Sequence, residues 1–393
     1  MYAFRLPGDI QADLARLAGL RRRLDARGVL PRRWIGRLRR DLEADAVAAS
    51  TSMEGVPVTG QEVRRILAGD RPPSVSEGDA ALVAGYREAM SFVLRRADST
   101  GFDWHRELII SIHDRVMGGD FSLGAGDYRR NHVFVGSASR GSVYAPPAPE
   151  LVPGLVDELA RWLSQADDVP PPVRAALAHI GLAGIHPFSD GNGRTARILA
   201  SLAMYRGGFR LPEFTSLEEW WGRHLDDYYS AFECLGEGWR PDVDVTPFVR
   251  AHVRAQVAQV ESLSLRHSTE GAVWVALEDV VTEDLPGPPR MTDALYDAFF
   301  GRRVTNRYYR GLADVSAATA ASDLKRLQSA GLLAAEGAGR NTSYVGTARL
   351  MAVVGAAAGI DLPQAGASVE SMGEVLIAGL AARMRAADAD TYT

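Results

Sequence analysis

The residues best suited to chemistry lie in one short stretch, from Ile185 to Arg197. After the isoleucine it reads His-Pro-Phe-Ser-Asp-Gly-Asn-Gly-Arg-Thr-Ala-Arg. The stretch combines a base, His186, with a carboxylate, Asp190, and with two arginines, the first of which is Arg194. An imidazole can take a proton from a hydroxyl, a carboxylate can bind Mg2+, and guanidinium groups bind phosphate oxygens. This combination indicates a phosphate-binding site.

The glycine-rich turn supplies backbone donors for the same site. Gly191, Asn192 and Gly193 can adopt left-handed conformations that direct successive N–H groups into one anion-binding concavity. Apolar residues then recur at helical spacing, which predicts a helix from about Gly193. The N-terminus of that helix would add partial positive charge to the concavity. Arg194 and Arg197 are three residues apart, so both should project from one side of its first turn.

The whole stretch resembles the signature of the Fic family, His-Pro-Phe-x-Asp/Glu-Gly-Asn-Gly-Arg-x-x-Arg, with every specified position filled. The resemblance implies a nucleotidyltransferase, usually one that transfers AMP from ATP with Mg2+ to a Tyr, Thr or Ser hydroxyl of a target protein. The residues that it assigns to catalysis are His186, Asp190, Asn192, Arg194 and Arg197, with Asp190 as the metal ligand. Those assigned to nucleotide binding are Gly191, Asn192, Gly193, Arg194, Arg197, Tyr228 and Tyr229.

The two tyrosines have a second interpretation. In the family a Tyr-Tyr pair at this point borders the adenosine pocket, whereas either ring alone could equally belong to the core. Some relatives also have a downstream asparagine that reaches the adenosine, and Gly236 corresponds to it here. The choice of nucleotide donor is therefore left open.

A second motif, Ser50-Thr51-Ser52-Met53-Glu54-Gly55, precedes the core. Ser50 and Glu54 are four apart and hence on one helix face, and Gly55 suits the left-handed residue that ends a helix. The pattern resembles the inhibitory motif of the Fic family, in which the glutamate pairs with the second signature arginine, here Arg197. The pair would deprive the γ-phosphate of its partner. A retained glutamate also implies that the site can remove AMP.

A short hairpin is expected between the two motifs. Val133, Phe134, Val135 and Gly136 form the first β-type run, a turn extends to Gly141, and a second run follows. The hairpin resembles the Fic flap, which pins a target segment by strand addition. An ordinary solvent-exposed hairpin is the alternative.

Composition limits the class of protein. The 393 residues are 46% hydrophobic and 24% charged, which is typical of a globular protein with two or three domains. A net charge of −5 argues against wholesale nucleic-acid binding. One cysteine excludes an internal disulfide, and no signal or membrane-spanning run is evident, so we expect a cytoplasmic protein without a membrane partner.

We predict a mainly α fold: a Fic-type helical core with a small β-hairpin flap, followed by a winged helix-turn-helix domain. The predicted division is an N-terminal helical segment with the inhibitory motif (1–98), the catalytic core (99–255), a connecting helix with the winged domain (256–346) and a C-terminal helical tail (347–393). The winged domain is predicted from helices near 292–300, 304–312 and 316–329.

The role of the winged domain has several interpretations. Its predicted recognition helix is poor in residues that read bases, although nearby arginines could meet phosphates: Arg302, Arg303, Arg307, Arg310 and Arg340. Target selection and packing in a homodimer are the other interpretations. The rival to the enzyme hypothesis is a DNA-binding regulator whose Fic core senses nucleotide.

Overall fold

The computed structural model of the protein describes residues 2–25, 32–67, 69–137, 142–214, 217–339, 342–362 and 368–390. It is mainly helical, as the sequence predicted, and the chain forms two compact units. The first unit holds the described residues up to Ser262 except 32–34, and the second holds residues 32–34 and those from Leu263 onward. The finer division into four segments stays a prediction.

The first unit is a helical assembly with one small hairpin. Its helices are α1 (Gly8–Asp25), α2 (Arg32–Ser52), α3 (Gly60–Leu67), α4 (Glu77–Ala97), α5 (Arg106–Val116), α6 (Val152–Gln165), α7 (Pro171–Ile185), α8 (Asn192–Arg206), α9 (Leu217–Arg223), α10 (Leu225–Ala231) and the first part of α11 (Thr246–Asp279). The hairpin strands are β1 (Val135–Ser137) and β2 (Ser142–Tyr144).

The helices α7 and α8 form the centre of this unit. Nearly every residue of both is buried, including the polar Arg194 and Arg197, because a helix that is apolar on all sides belongs in a core. Alanine and glycine are frequent in α7, which lets neighbouring helices approach closely. One apolar cluster packs on each side of the pair: α2, α4, α5 and α6 contribute to the first, and α1 and α11 to the second. The turn between α7 and α8 is therefore held on a rigid base.

The second unit contains a winged-helix arrangement. It consists of α12 (Met291–Phe299), β3 (Val304–Thr305), α13 (Asn306–Ala313), α14 (Ala317–Ser329), β4 (Leu333–Glu336) and β5 (Ser343–Gly346), followed by α15 (Ala348–Ala358) and α16 (Val369–Asp390). The three strands form an antiparallel sheet in the order β3-β5-β4. This order places the β4–β5 hairpin as the wing beside the three helices.

One short element of this unit differs from the prediction. The stretch from residue 304 was assigned to a helix, but Val304 and Thr305 pair with Tyr344 and Ser343 of β5. Both are β-branched residues, which favour strands. The helix begins at Asn306, and the Thr305 hydroxyl caps it by accepting from the Tyr308 N–H.

Among the described residues, no helix is both long enough and apolar enough to cross a bilayer.

Candidate active site

The turn between α7 and α8 is fixed from both ends. His186 follows α7 in a left-handed conformation with a φ of 50°, and its N–H donates to the Leu182 carbonyl at 2.9 Å. The buried Asn192 amide closes the turn, because its Oδ1 accepts from the Phe188 N–H at 3.0 Å and its Nδ2 donates to the Phe188 carbonyl at 2.9 Å. The Asn192 side chain thus shapes the turn, and its predicted part in catalysis stays a prediction.

The glycine turn differs from the predicted nest. Only Gly191 is left-handed, with a φ of 73°, whereas Asn192 and Gly193 are already the first residues of α8. The helix begins one residue earlier than expected because the Asn192 amide fixes the chain at that point. Among the described residues no side chain caps α8, so its first N–H groups face the turn as potential anion donors.

His186 has the protonation and tautomer of a general base. Its Nδ1 lies 3.3 Å from the Ala183 carbonyl, a bond that requires the proton on Nδ1 and leaves Nε2 as the acceptor. Burial lowers the pKa of His186, although the Ala183 carbonyl opposes the shift. The imidazole is therefore neutral at pH 7 and can accept a proton at Nε2.

Arg129 supports His186 and was not predicted as a site residue. It is buried, and its Nε donates to the His186 carbonyl at 2.7 Å while its Nη2 donates to the Pro147 carbonyl at 2.5 Å. Its own N–H also donates to the Pro187 carbonyl at 2.9 Å. Arg129 therefore ties the base to the segment that follows the hairpin. Its motif Gly-Asp-Tyr-Arg carried no signal for this role, because the partners are backbone carbonyls.

Asp190 is the exposed acidic residue of the turn. Its Oδ1 accepts from the Gly191 N–H at 2.6 Å, and its side chain is 66% exposed. The Asp190 carbonyl is held by His113, whose Nε2 lies 3.0 Å away and whose ring stacks on Phe188 with 3.6 Å between centroids. Burial lowers the pKa of His113 to about 4, so this ring is neutral and supports the turn as a buried structural histidine.

The two signature arginines differ in their partners. Arg194 is 2% exposed, yet its Nη2 reaches only the Asp190 Oδ2 at 3.5 Å and the Met117 sulfur at 3.8 Å. Within the part of the chain that the structure describes, its Nε has no hydrogen-bond partner. Burial lowers the pKa of Arg194. A buried guanidinium so weakly satisfied is suited to receive an anion.

Arg197 is fully engaged by the predicted inhibitory motif. Its Nη2 lies 2.8 Å from the Glu54 Oε1 and 3.1 Å from the Ser50 carbonyl, and its Nε donates to the Ser50 hydroxyl at 3.0 Å. Burial by itself would lower the pKa of Arg197, but Tyr228 and Glu54 outweigh it and raise the pKa. The structure thus brings together Arg197, Ser50 and Glu54 as the sequence predicted.

Glu54 reaches Arg197 from a turn rather than from the helix itself. The helix α2 ends at Ser52, and Gly55 follows with a φ of 84°, the left-handed conformation expected there. The carboxylate lies over the first turn of α8, where a Cβ at Gly193 would collide with the Glu54 Oε1. Glu54 therefore occupies the entrance to the N-terminus of α8.

The two adjacent tyrosines occupy different environments. Tyr228 is buried, and its hydroxyl lies 3.2 Å from both the Arg197 Nη1 and the His179 Nε2. Tyr229 is 43% exposed, and its hydroxyl donates to the Met53 carbonyl at 3.3 Å. Tyr228 thus supports Arg197 within the core, and Tyr229 is the ring that remains accessible for the predicted nucleotide contact.

The predicted flap is a two-stranded antiparallel hairpin. Val135 pairs with Tyr144 and Gly136 with Val143, whereas Val133 and Phe134 precede the first strand, which begins later than predicted. The turn at residues 138–141 lies outside the described residues. In the described chain β1 has a neighbour on one side only, so its other edge can pair with an added strand. Phe134, at the base of β1, is 72% exposed.

The hairpin is anchored close to His186. The Tyr144 hydroxyl donates to the Gly184 carbonyl at 2.8 Å, two residues before His186. After β2, Ala145 pairs with Gly238 in a parallel bridge. These contacts fix the flap relative to the end of α7.

Comparison with known proteins identifies the central part of the chain. Residues 103–204 match the model of the Fic/DOC family. A "Protein adenylyltransferase Fic" of Nematostella vectensis is 35% identical over 186 residues, which cover 46% of this chain and 39% of that protein. "Protein adenylyltransferase fic-1" of Caenorhabditis elegans is 34% identical over 158 residues, 39% of this chain and 27% of that protein. The chain thus spans about two fifths or less of these relatives.

Solved structures give the same likeness. A Fic family protein from Desulfovibrio desulfuricans G20 aligns with a TM-score of 0.58 over 88% of this chain and 98% of that chain, at 20% identity, which bears on the fold alone. Fic-1 from C. elegans aligns with a TM-score of 0.53 and 27% identity over 65% of this chain and 71% of that chain.

Proposed function

Because residues 103–204 match the model of the Fic/DOC family, we propose that the chain is an autoinhibited protein adenylyltransferase. It would transfer AMP from ATP to a Tyr, Thr or Ser hydroxyl of a target protein. The observation that carries this proposal is the contrast between the two buried arginines at the N-terminus of α8: Arg194 lacks a strong partner, and Arg197 is occupied by Glu54. The names of the curated relatives agree with it.

The nucleotide would bind with its α and β phosphates at the uncapped N-terminus of α8. Arg194 and Arg197 would then contact the β and γ phosphates, because guanidinium groups bind phosphate oxygens in pairs. The exposed ring of Tyr229 would border the adenosine. All these groups lie on or beside the helix α8, which is buried on both sides and hence rigid.

His186 would act as the general base. Its neutral Nε2 takes the proton of the target hydroxyl, and the oxygen forms a bond to the α-phosphorus. The bond between that phosphorus and the bridging oxygen breaks in line, and pyrophosphate leaves. The protein contributes orientation and positive charge and forms no covalent intermediate.

The residues present fit a Mg2+ ion shared with the substrate. Among the described residues no group of three or more His, Cys, Asp or Glu side chains could form a complete metal site. Mg2+ commonly binds one or two carboxylates together with substrate phosphates, and the exposed Asp190 carboxylate can serve in this way. When bound, the ion would neutralise charge that develops on the phosphate oxygens.

Glu54 would inhibit the enzyme by competing with the γ-phosphate for Arg197. The carboxylate and the phosphate are both anions that bind one guanidinium, and Glu54 lies directly over the entrance to α8. With Arg197 occupied, the nucleotide would bind weakly and without the correct orientation of its α-phosphorus. The same carboxylate could orient a water for the removal of AMP, the second reaction implied by the family resemblance.

The flap would hold the target segment. The outer edge of β1 offers backbone groups for strand addition, which fixes a backbone without selecting much sequence. The Tyr144 anchor would keep the added segment close to His186. A homodimer and a cytoplasmic location stay predictions.

The second candidate is a DNA-binding regulator, and two of the five arginines predicted to meet phosphates are paired within their own unit, whereas Arg307 and Arg310 are exposed. Arg302 pairs with the buried Asp297 at 2.8 Å, and Arg303 pairs with Glu336 at 2.5 Å. Arg340 lies outside the described residues. Arginines paired within their own unit are less available to phosphates. Salt-sensitive binding to a defined duplex, together with no adenylylation, would favour the regulator.

The test uses ATP labelled at the α position. Wild type, Glu54→Gly and His186→Ala are incubated with labelled ATP and cell lysate, and incorporation into protein is measured. We expect label transfer to rise strongly in Glu54→Gly and to vanish when His186→Ala is added to it. If no variant transfers label, the proposed function is wrong.

A further inference from the structure

A small cavity adjoins Arg197. Glu218 and Trp221 of α9 and His252 and Gln256 of α11 contribute polar groups to its wall, and Arg197 lines it as well. Within the described residues, these groups include buried atoms that lack a hydrogen-bond partner: the Glu218 Oε2, the Trp221 Nε1, both His252 nitrogens and the Gln256 Oε1. Buried polar atoms are nearly always paired, so such a convergence indicates a bound molecule.

The donors and acceptors of these four side chains indicate which molecule the cavity can bind. The carboxylate oxygen and the amide oxygen accept hydrogen bonds, the Trp221 N–H donates one, and the neutral imidazole of His252 donates one and accepts one. Burial lowers the pKa of His252 to about 3, which keeps its ring neutral. A ligand that donates twice and accepts twice would then satisfy four of these five atoms. The space available to a water-sized sphere is about 10 Å³, which is roughly what one water needs.

We propose that this cavity binds one structural water, and that the water and Glu218 together hold the inhibitory segment on Arg197. The inference rests on the proposed function, because it concerns how the inhibition by Glu54 is maintained. Glu218 would be a positioning residue, which acts through two intermediate hydroxyl groups and touches neither substrate nor nucleotide.

A buried hydrogen-bonded chain links Glu218 to the inhibitory segment. The Tyr86 hydroxyl donates to the Glu218 Oε1 at 2.8 Å and also interacts with the Ser50 side chain. The Ser50 hydroxyl accepts from the Arg197 Nε at 3.0 Å. Because Arg197 can only donate, the chain runs one way, from Arg197 through Ser50 and Tyr86 to Glu218. All four residues are at most 3% exposed, so solvent cannot replace a lost bond.

The water is needed because the last member of the chain is a buried carboxyl group. A buried carboxylate is unfavourable unless several hydrogen bonds satisfy its oxygens. Tyr86 satisfies Oε1, and the water would satisfy Oε2, the atom without a partner. Glu218 can then remain a good acceptor for Tyr86, which fixes the Ser50 hydroxyl beside Arg197. Loss of any link should favour release of the segment that carries Glu54.

The test removes one hydroxyl and leaves the ring. Tyr86→Phe is compared with wild type, Glu54→Gly and the double variant, by label transfer from α-labelled ATP and by calorimetric ATP affinity. Tyr205→Phe is the matched control, since its hydroxyl on α8 loses a bond to the exposed Asp98 and has no link to Ser50. We expect both readouts to rise roughly two- to tenfold in Tyr86→Phe, the effect of one buried hydrogen bond. In the Glu54→Gly background we expect no further rise.

The outcomes separate this inference from the proposed function. If Glu54→Gly transfers label and Tyr86→Phe behaves as wild type, the inference is wrong and the proposed function stands. If Tyr86→Phe changes label transfer and ATP affinity equally in the wild-type and Glu54→Gly backgrounds, the hydroxyl has only a general structural role and the inference is again wrong. If no variant transfers label, the proposed function fails, and the ATP affinity of Tyr86→Phe against wild type then decides the inference alone.

A crystal structure of the wild-type protein at high resolution provides an independent measurement that needs no variant to fold. We expect one ordered water bonded to the Glu218 Oε2 and to at least two of Trp221, His252 and Gln256. A dry cavity, or side chains that turn to satisfy one another, would overturn the proposal.

Discussion

The two buried arginines of α8 are the same residue type but differ in their hydrogen-bond partners. Arg194 and Arg197 lie three residues apart and are both buried, but the Glu54 carboxylate lies 2.8 Å from Arg197, whereas the Asp190 carboxylate lies 3.5 Å from Arg194. A buried guanidinium is stable only with anionic or strongly accepting partners. Arg197 Nη2 lies 2.8 Å from the Glu54 carboxylate, so a γ-phosphate that binds the same atom would have to displace that carboxylate.

The burial of His186 leads to a prediction for the pH dependence of catalysis. Since burial lowers its pKa, the imidazole stays neutral, and active as a base, at pH values below its ordinary value of 6.5. In the Glu54→Gly variant we expect the acid limb of kcat/KM for protein labelling to lie below pH 6.5. An acid limb centred at or above that value would contradict the assigned tautomer and role of His186.

The sequence indicates the candidate reacting residues but not the residues that hold them in position. The spacing of His186, Asp190 and the two arginines already predicted the site, and Ser50 and Glu54 do lie against Arg197. Arg129 could not be found in this way, because two of its partners are the His186 and Pro147 carbonyls, which only the fold brings near it. Tyr86 and Glu218 are similar: they are 132 positions apart in sequence.

Among the structural elements, the flap hairpin depends on few contacts of its own. Three residue pairs join β1 to β2, and a two-stranded hairpin is only marginally stable in water. The Tyr144 bond to the Gly184 carbonyl therefore matters for its order. The Tyr144 hydroxyl thus anchors the strands of the hairpin close to His186.

We expect Tyr144→Phe to loosen the flap, because it removes the hydrogen bond to the Gly184 carbonyl. Backbone amides of β1 and β2 should exchange with deuterium roughly two- to tenfold faster, the effect of one lost hydrogen bond. Val143→Ala, at a side chain that is 50% exposed, is the control and should have little effect. Unchanged exchange in Tyr144→Phe would show that other contacts hold the flap.

The boundaries of helices and strands can be predicted from local sequence where a capping residue is present. The prediction fails where pairing with a distant strand sets the boundary. Gly55, which follows the end of α2, has the left-handed conformation that its residue type suggests. Val304 and Thr305 form a strand only because β5 lies beside them. Val133 lies outside β1 because the partner strand, β2, ends at Tyr144, opposite Val135. Neither pairing can be derived from the local pattern.

At the scale of the whole molecule, the first unit buries several neutral histidines around α7, α8 and α11. His179 and His252 are about 1% exposed and pack edge to face with 5.6 Å between ring centroids. Burial lowers the pKa of both, to about 3 for His252. In the unfolded chain these rings titrate near pH 6.5.

This burial makes stability depend on pH below neutrality. A histidine whose folded pKa is lowered binds fewer protons in the native state than in the unfolded state, so the free energy of unfolding falls as pH drops below about 6.5. We expect His252→Gln to reduce that slope between pH 6.5 and 5 by up to about 1.4 kcal/mol per pH unit, as measured by urea unfolding. The exposed His132→Gln is the control; an equal slope in wild type and His252→Gln would contradict the assignment.

The most direct measurement of the central claim is the calorimetric affinity of wild type and Glu54→Gly for ATP and for ADP. If Glu54 and the γ-phosphate compete for Arg197, the variant should gain roughly tenfold or more in affinity for ATP, the value of a hydrogen bond between charged groups. ADP lacks the γ-phosphate, so its affinity should change far less. An equal gain for both nucleotides, or none for either, would contradict the competition.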